Sequence, residues 1–318
     1  MSYIISRPWG GACGVGHQFH NWLAGWLLAK RYNLTFVHSP LCGRHIQNQI
    51  DSPVELWERF LGLGIGEVRA EDIDINTQVV QLPKIIWDEC DWETCSVDHP
   101  SIKTLINHYD KDEVVFECAR DQFFVTDWSL LNSNVLRNKF EQALSMIRSD
   151  RQEGKKDLYG NIDTTKKDNK IHVAIHIRRG DVTENGRYKV RWVPTDVYMN
   201  IMNQIAFLYG SENVHFHIFS DETNGLKFMM MTLMGCKVDM QLWGSNVFES
   251  FVQMVNADIL VTGQSMFSVL AGHLCDNVVL ARPWSPHWNN FPDNGKFIEV
   301  QSNGDFETQK LKGLKCTS

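Results

Sequence analysis

The second half of the chain alternates between two hydrophobic periods. Ile171-His-Val-Ala-Ile-His-Ile177 has period two and is β-branched, which predicts a strand. Val197, Ile201, Ile205 and Leu208 share one helical stripe, so a helix is expected from Thr195, as its cap, to Tyr209. Val214-His-Phe-His-Ile-Phe219 reads as a second strand. A helix over 224–234 follows, closed by Gly235, whose missing Cβ suits a left-handed cap. Then come a strand at 236–242, a helix at 247–256, a strand at 258–262, a helix near 265–274 and a strand at 277–281. Strands and helices alternating through short links predict a parallel sheet covered on both faces. Ligands of such sheets sit beyond the C-terminal ends of the strands, which directs attention to the residues after 177, 219 and 262.

The first half is also α/β. Gly10, Gly11, Gly14 and Gly16 lead into a helix over His17–Arg31, where Phe19, Trp22, Leu23, Trp26 and Leu27 recur at helical spacing. Leu34-Thr-Phe-Val37 reads as the next strand, and Asn134–Ile147 as a further helix. Ser52-Pro-Val-Glu55 has the form of a capping box with proline at the first helical position. Between 66 and 126 the pattern is too weak to place strands. Residues 148–170 are polar, mixed in charge and aperiodic, as in an exposed linker. The expected organisation is an N-terminal α/β domain over 1–150, a polar linker or loop over 151–170, and a second α/β domain over 171–300.

With 43% apolar and 22% charged residues, the 318-residue chain has an ordinary globular composition and length enough for two domains. A net charge of -7 argues against a nucleic-acid partner, though not against a local basic patch for phosphate. No apolar run approaches the roughly 18 residues of a membrane span. Met1–Pro8 shows no basic region followed by an apolar core, so no signal peptide is expected. The eight Cys are scattered, which reads as reduced thiols rather than a disulfide framework. A soluble cytoplasmic enzyme is therefore expected, and the sequon Asn33-Leu-Thr35 would matter only in a secreted protein. One count is unusual: 11 Trp beside 17 Phe and 12 His. Trp fills cores, but it also stacks on sugars and bases.

The densest chemistry lies in Ala174-Ile-His-Ile-Arg-Arg-Gly-Asp181. A buried strand delivers His176, Arg178, Arg179 and Asp181 to its C-terminal edge. Adjacent residues of a strand point to opposite faces, so one Arg can meet a ligand while the other braces the loop. Arg suits phosphate because its planar fork donates two parallel hydrogen bonds and stays charged. A surface salt-bridge loop is the structural alternative. In Ala257-Asp-Ile-Leu-Val-Thr-Gly-Gln-Ser-Met-Phe-Ser268 a strand runs into a helix start, whose free N–H groups suit an anion. There Ser265 is equally a simple N-cap. The glycines of Gly10-Gly-Ala-Cys-Gly-Val-Gly-His17 match neither the dinucleotide fingerprint nor the lysine-bearing phosphate loop, but they permit close backbone approach.

Taken together these segments resemble one family. Gly14-Val-Gly-His-Gln-Phe-His-Asn21 is similar to the start of the catalytic region of α1,6-fucosyltransferases, including the rhizobial nodulation type. His176-Ile-Arg-Arg-Gly-Asp181 resembles the signature strand and loop of α1,2-, α1,6- and protein O-fucosyltransferases. Trp192-Val-Pro-Thr-Asp-Val-Tyr198 resembles the helix start that follows it. Phe219-Ser-Asp-Glu222 and the stretch from Ala257-Asp258 to Ser265-Met-Phe-Ser268 resemble the later donor-site motifs. The resemblance covers 10–30 and 171–275. It implies a GT-B-like fold, with two Rossmann-like α/β domains facing a cleft and 171–300 as the donor domain. Residues 301–318 would form a C-terminal segment able to pack back on the first domain, which the resemblance makes the acceptor side. It further implies inverting, metal-independent transfer of L-fucose from GDP-fucose to a glycan hydroxyl, with no other cofactor.

Carried over residue by residue, Arg178 matches the arginine that holds the donor diphosphate. His176 matches a nucleotide-side contact. Gly14, Gly16, His17, Arg179 and Asp221 fall within the donor motifs, and Ser265, Phe267 and Ser268 match the helix start near the phosphates. Where the α1,6 enzymes carry a guanine-binding carboxylate this chain has Ser250, with Glu249 beside it. Their proposed base corresponds to Gly186, so Asp181 and Glu184 are the candidate proton acceptors. Two alternatives stay open: another nucleotide sugar as donor, or a non-catalytic nucleotide- or glycan-binding protein, which the Gly186 departure favours.

Other features carry less. Asp72-Ile-Asp74 formally matches a metal-binding Asp-x-Asp, a triplet common in acidic chains. Cys90 and Cys95 lack a partner pair for zinc. His172, His215 and His217 alternate with apolar residues and read as packed, hydrogen-bonded histidines. Met229-Met-Met231 reads as helix and core. Trp284 and Trp288, in the aromatic segment 282–291, could line a sugar site or an ordinary loop.

Overall fold

The computed structural model describes residues 2–7, 14–42, 54–74, 76–85, 96–109, 112–119, 122, 133–163, 168–221, 235–242, 246–283 and 296–311. The chain divides into two compact units, Met1–Lys155 with Pro286–Asn290, and Lys156–Ser285 with Phe291–Ser318.

The first unit is built on strands β1 (Tyr3–Ser6), β2 (Thr35–His38), β3 (Val68–Arg69), β4 (Gln78–Gln81) and β5 (Val114–Cys118). They form one parallel sheet in the order β3-β2-β1-β5-β4. Helices α1 (Val15–Tyr32), α2 (Val54–Leu61), α3 (Pro100–His108) and α4 (Ser133–Gln152) belong to the same unit. The stripe predicted on α1 is wider than its spacing suggested. Val15 to Ala29 is buried almost all round, including Gln18, His20 and Asn21. Trp22 stacks on Phe19 and meets Phe36 edge-on, and its Nε1 donates to His38 Nδ1 at 3.2 Å. Gly25 lets the helix approach β1, because a Cβ there would lie 2.6 Å from Ser6 Cβ. Asn33, at φ +52°, closes the helix in the left-handed region. Helix α4 runs five residues past its predicted end, into the polar seam. Arg and Gln are good helix formers, so the helix continues past its apolar stripe, and it ends just before the turn at Gly154, φ +77°.

In the second unit β6 (Ile171–Ile177), β7 (Val214–Ser220), β8 (Lys237–Leu242), β9 (Ile259–Val261), β10 (Val278–Ala281) and β11 (Phe297–Glu299) pair in the order β11-β10-β9-β6-β7-β8, every pair parallel. Counted from β6 this is the doubly wound order of a Rossmann fold. Both units are thus α/β with a parallel sheet, the predicted class, and the second has the Rossmann strand order. Helices α5 (Thr195–Tyr209), α6 (Val247–Val255) and α7 (Met266–Leu274) complete it. The odd-numbered residues of β6 and the even-numbered ones of β7 pack with Val197, Ile201, Met202 and Ile205 of α5. Thr195 does not cap α5. Pro194 precedes the helix with no side-chain cap, and the Thr195 hydroxyl accepts from Arg179 instead. Part of the polar seam is anchored: Tyr159 and Ile162 are buried, the former edge-on against Phe248 of α6. The C-terminal segment as far as Leu311 packs on α5, with the Tyr209 hydroxyl donating to the Leu311 carbonyl at 2.6 Å. No helix among the described residues is long and apolar enough to cross a membrane. The helix expected at 224–234, the capping box at 52–55 in part, Cys90, Cys95, Met229–Met231, Trp284 and Trp288 lie outside the described residues.

Phe216 of β7 is fully buried in the second core. Phe216→Ala should lower the stability of that unit by about 3–5 kcal/mol, read as a shifted midpoint in urea denaturation.

Candidate functional site

In a doubly wound sheet a crevice opens where the strand order reverses. In the second unit that point lies between β6 and β9, which pair directly. The loops that follow these two strands carry the site.

After Ile177 the chain turns through Arg178-Arg179-Gly180-Asp181. Asp221, the residue after β7, fixes this turn. Its Oδ1 accepts the Arg179 N–H at 2.7 Å, and its Oδ2 accepts from Arg178 Nη1 at 2.8 Å. Gly180 sits at φ +61°, where a Cβ would come 2.8 Å from Asp221 Oδ2. Only glycine fits that turn without strain. The two arginines then diverge. Arg179 is buried, donates to the Arg178 and Val193 carbonyls at 3.0 Å each, and lies 3.9 Å over the Trp192 ring. It braces the loop. Arg178 keeps 22% of its side chain exposed and forms a second ion pair, with Asp181. Its guanidinium is therefore held in place at the surface by two carboxylates.

After Val261 the chain passes through Thr262-Gly263-Gln264-Ser265 into α7. A Cβ on Gly263 would lie 2.7 Å from the His176 carbonyl and 3.4 Å from the Arg178 nitrogen, so this loop rests directly on the end of β6. Ser265 is the N-cap of α7, its Oγ accepting from the Phe267 N–H at 3.4 Å. Ser268 is fully buried and its hydroxyl donates to the Gly263 and Ser265 carbonyls, so it holds the loop together. The Phe267 ring packs on those of His176 and Phe251. His176 is buried, and burial, reinforced by the Arg178 charge, pushes its imidazole pKa down to about 3. It is a neutral hydrogen-bonding group at ordinary pH. Its Nδ1 and the Gln264 Oε1 are buried with no hydrogen-bond partner.

The structure thus brings His176, Arg178, Arg179, Asp181, Asp221, Ser265, Phe267 and Ser268 to one sheet edge. Glu184 lies exposed in the loop that follows Asp181. Glu249 stands in the first turn of α6, where its carboxylate accepts the Asn161 N–H and fixes the 159–163 segment. Gly14, Gly16 and His17 open α1 in the first unit, and a Cβ at Gly14 would meet nothing within 4 Å. Gly10 and Gly11 lie outside the described residues. In the Asp-x-Asp triplet, Asp72 accepts from the Arg69 N–H and Asp74 from the Asn76 N–H, which makes both local turn caps. Sequence reasoning missed Arg191. Its pKa is lowered, first by burial and then by the Arg178 charge, with Asp181 opposing, which places it in the same electrostatic neighbourhood. The basic run Arg187, Lys189, Arg191 was the available signal.

A histidine whose folded pKa lies near 3 takes up a proton when the chain unfolds below its ordinary value of about 6.5. The unfolded state then binds more protons, so the His176 contribution is complete above pH 6.5 and is lost as pH falls toward 3. His176→Asn should remove up to about 1.4 kcal/mol per pH unit from the stability slope between about pH 6 and pH 4, measured by urea denaturation across that range.

No protein-family model and no curated protein matches this chain. Among solved structures, that of POFUT1 in complex with GDP is similar with a TM-score of 0.49 and 14% identity, over 88% of this chain and 98% of that chain.

Proposed function

We propose that the protein is an inverting glycosyltransferase that moves L-fucose from GDP-fucose to a glycan hydroxyl. The observation that carries this reading is the meeting, at the switch point of the second sheet, of a rigidly held Arg178 with the capped start of α7. Breaking a sugar–diphosphate bond develops negative charge on the β-phosphate. A guanidinium and helix N–H donors fixed beforehand stabilise that charge without reorganising. Arg191 adds a second positive charge nearby. The cations come from the chain itself, so the transfer step needs no metal.

Neutral His176 and Gln264 supply buried polar atoms suited to the nucleotide side of the donor. Gly14, Gly16, His17 and Glu249 belong to the proposed donor contacts through their motif positions alone. The acceptor hydroxyl attacks the oxocarbenium-like sugar from the opposite face, and a carboxylate takes its proton. Asp181 is engaged with Arg178, which leaves exposed Glu184 as the better acceptor of the two. Gly186 and the Asp181 pairing also support a second reading, a protein that binds the nucleotide and does no chemistry.

Two measurements separate these readings. Calorimetry should show GDP binding more tightly than UDP or CMP, and GDP-fucose should be hydrolysed or transferred in the presence of a glycan panel. Binding without turnover would favour the second reading. Arg178→Ala should cut turnover at least about 100-fold while circular dichroism stays unchanged; full activity in this variant would sink the proposal.

A further inference from the structure

At the opposite end of the same sheet lies a cluster that the proposed reaction does not use. His172 at the start of β6 is in register with His215 at the start of β7, and His217 with Asp239 of β8. In a parallel sheet these register partners and their i+2 neighbours share a face, here the one turned away from α5. The expectation of packed, hydrogen-bonded histidines describes part of the arrangement. The His215 and His217 ring centroids are 4.0 Å apart, and His172 stacks on His217 at 5.2 Å.

The hydrogen bonds fix which nitrogens carry lone pairs. His172 Nε2 is 2.8 Å from Asp168 Oδ1, and His215 Nε2 is 2.6 Å from Asp239 Oδ2. Each carboxylate accepts an N–H there, which leaves both Nδ1 atoms as acceptors. His172 Nδ1 is met by His217 Nε2 at 2.9 Å. His215 Nδ1 has no hydrogen-bond partner, although its side chain is only 4% exposed, and Asp168 Oδ2 stands 3.9 Å from it. A buried acceptor left unmatched costs about 1–3 kcal/mol. The three imidazoles each offer a ligand nitrogen within 4.8 Å of the others.

We propose that His172, His215 and His217 form a binding site for one divalent transition-metal ion of the zinc class, with Asp168 in reach as a fourth ligand. Nitrogen and carboxylate donors suit such ions. A carboxylate holding the far nitrogen of a ligating histidine is the usual outer support of a metal site, and Asp239 has that place behind His215. Tetrahedral ligation at 2.0–2.1 Å needs nitrogens about 3.4 Å apart, so on binding the His172 Nδ1–His217 Nε2 pair, now 2.9 Å apart, opens slightly while separations of up to 4.8 Å close. His217 binds through Nε2 once its proton moves to Nδ1, which lies 4.0 Å from Asp239 Oδ2. Arg178 lies six residue steps beyond His172 along β6 and its end, roughly 20 Å. The ion therefore clamps the N-terminal ends of β6 and β7 and takes no part at the Arg178 loop.

The test needs no enzyme assay. Full-length protein freed of metal with a chelator is titrated with Zn²⁺ or Co²⁺ by calorimetry, and its melting point is followed. One equivalent should bind and raise the midpoint by several degrees. The Co²⁺ spectrum should lack intense thiolate charge-transfer bands, and X-ray absorption at the zinc edge should count three imidazoles and no sulfur. The paired substitution His172→Asn with His217→Asn should abolish both the binding and the shift. No binding, sulfur ligation in the wild-type protein, or an equivalent that survives the paired substitution overturns the proposal.

Discussion

Asp221 is the residue on which the site depends. One carboxylate accepts from the backbone of Arg179 and from the side chain of Arg178, and it occupies the space that a side chain at position 180 would need. Each contact constrains another. The backbone bond sets the path of the turn, the turn aims Arg179 inward to Trp192, and the ion pair holds Arg178 at the rim. A cation that must stabilise transient negative charge gains most when it is already in place, because it then loses no freedom at the moment of reaction. Loss of Asp221 would leave Arg178, among the described residues, with the ion pair to Asp181, itself half-exposed and a weak anchor.

Much of the second unit was legible in the sequence because its elements are short, alternate strictly and are buried on both faces. Ile171–Ile177 and Val214–Ser220 are β-branched or aromatic over most of their length, and periodicity alone places them. The first unit was less legible. β3 has two residues, and β4 is mostly exposed, so neither carries a hydrophobic signature. Their place in the sheet comes from pairing with neighbours, which local pattern does not encode. Helix α4 outran its apolar stripe because its last turns need only helix-forming polar residues and a glycine stop.

The site divides in the same way. Arg178, Arg179, Asp181 and Asp221 stand in contiguous motifs at strand ends, so the sequence could mark them. The separate duties of the two arginines could not be read, because they depend on Trp192 and Val193, residues fourteen or so positions away that fold back over the loop. Thr195 looked like a cap and is an acceptor for Arg179. The histidine cluster was visible only as two alternating segments, since the register between β6 and β7 is what joins them. The aromatic excess also resolves in part: Trp22, Trp26 and Trp57 are core, and Trp192 is the platform for a buried guanidinium.

Among the described residues, the strands of the first sheet lie within residues 3–118, and those of the second begin at Ile171. A ribosome that has released α4 has therefore already delivered every strand of the first sheet before any strand of the second exists. Chains made in this order let the earlier unit close first and spare it competition from the later one for the same strand edges. The polar stretch after α4, with its glycine stop, thus marks the boundary between the two units in order of synthesis as well as in sequence.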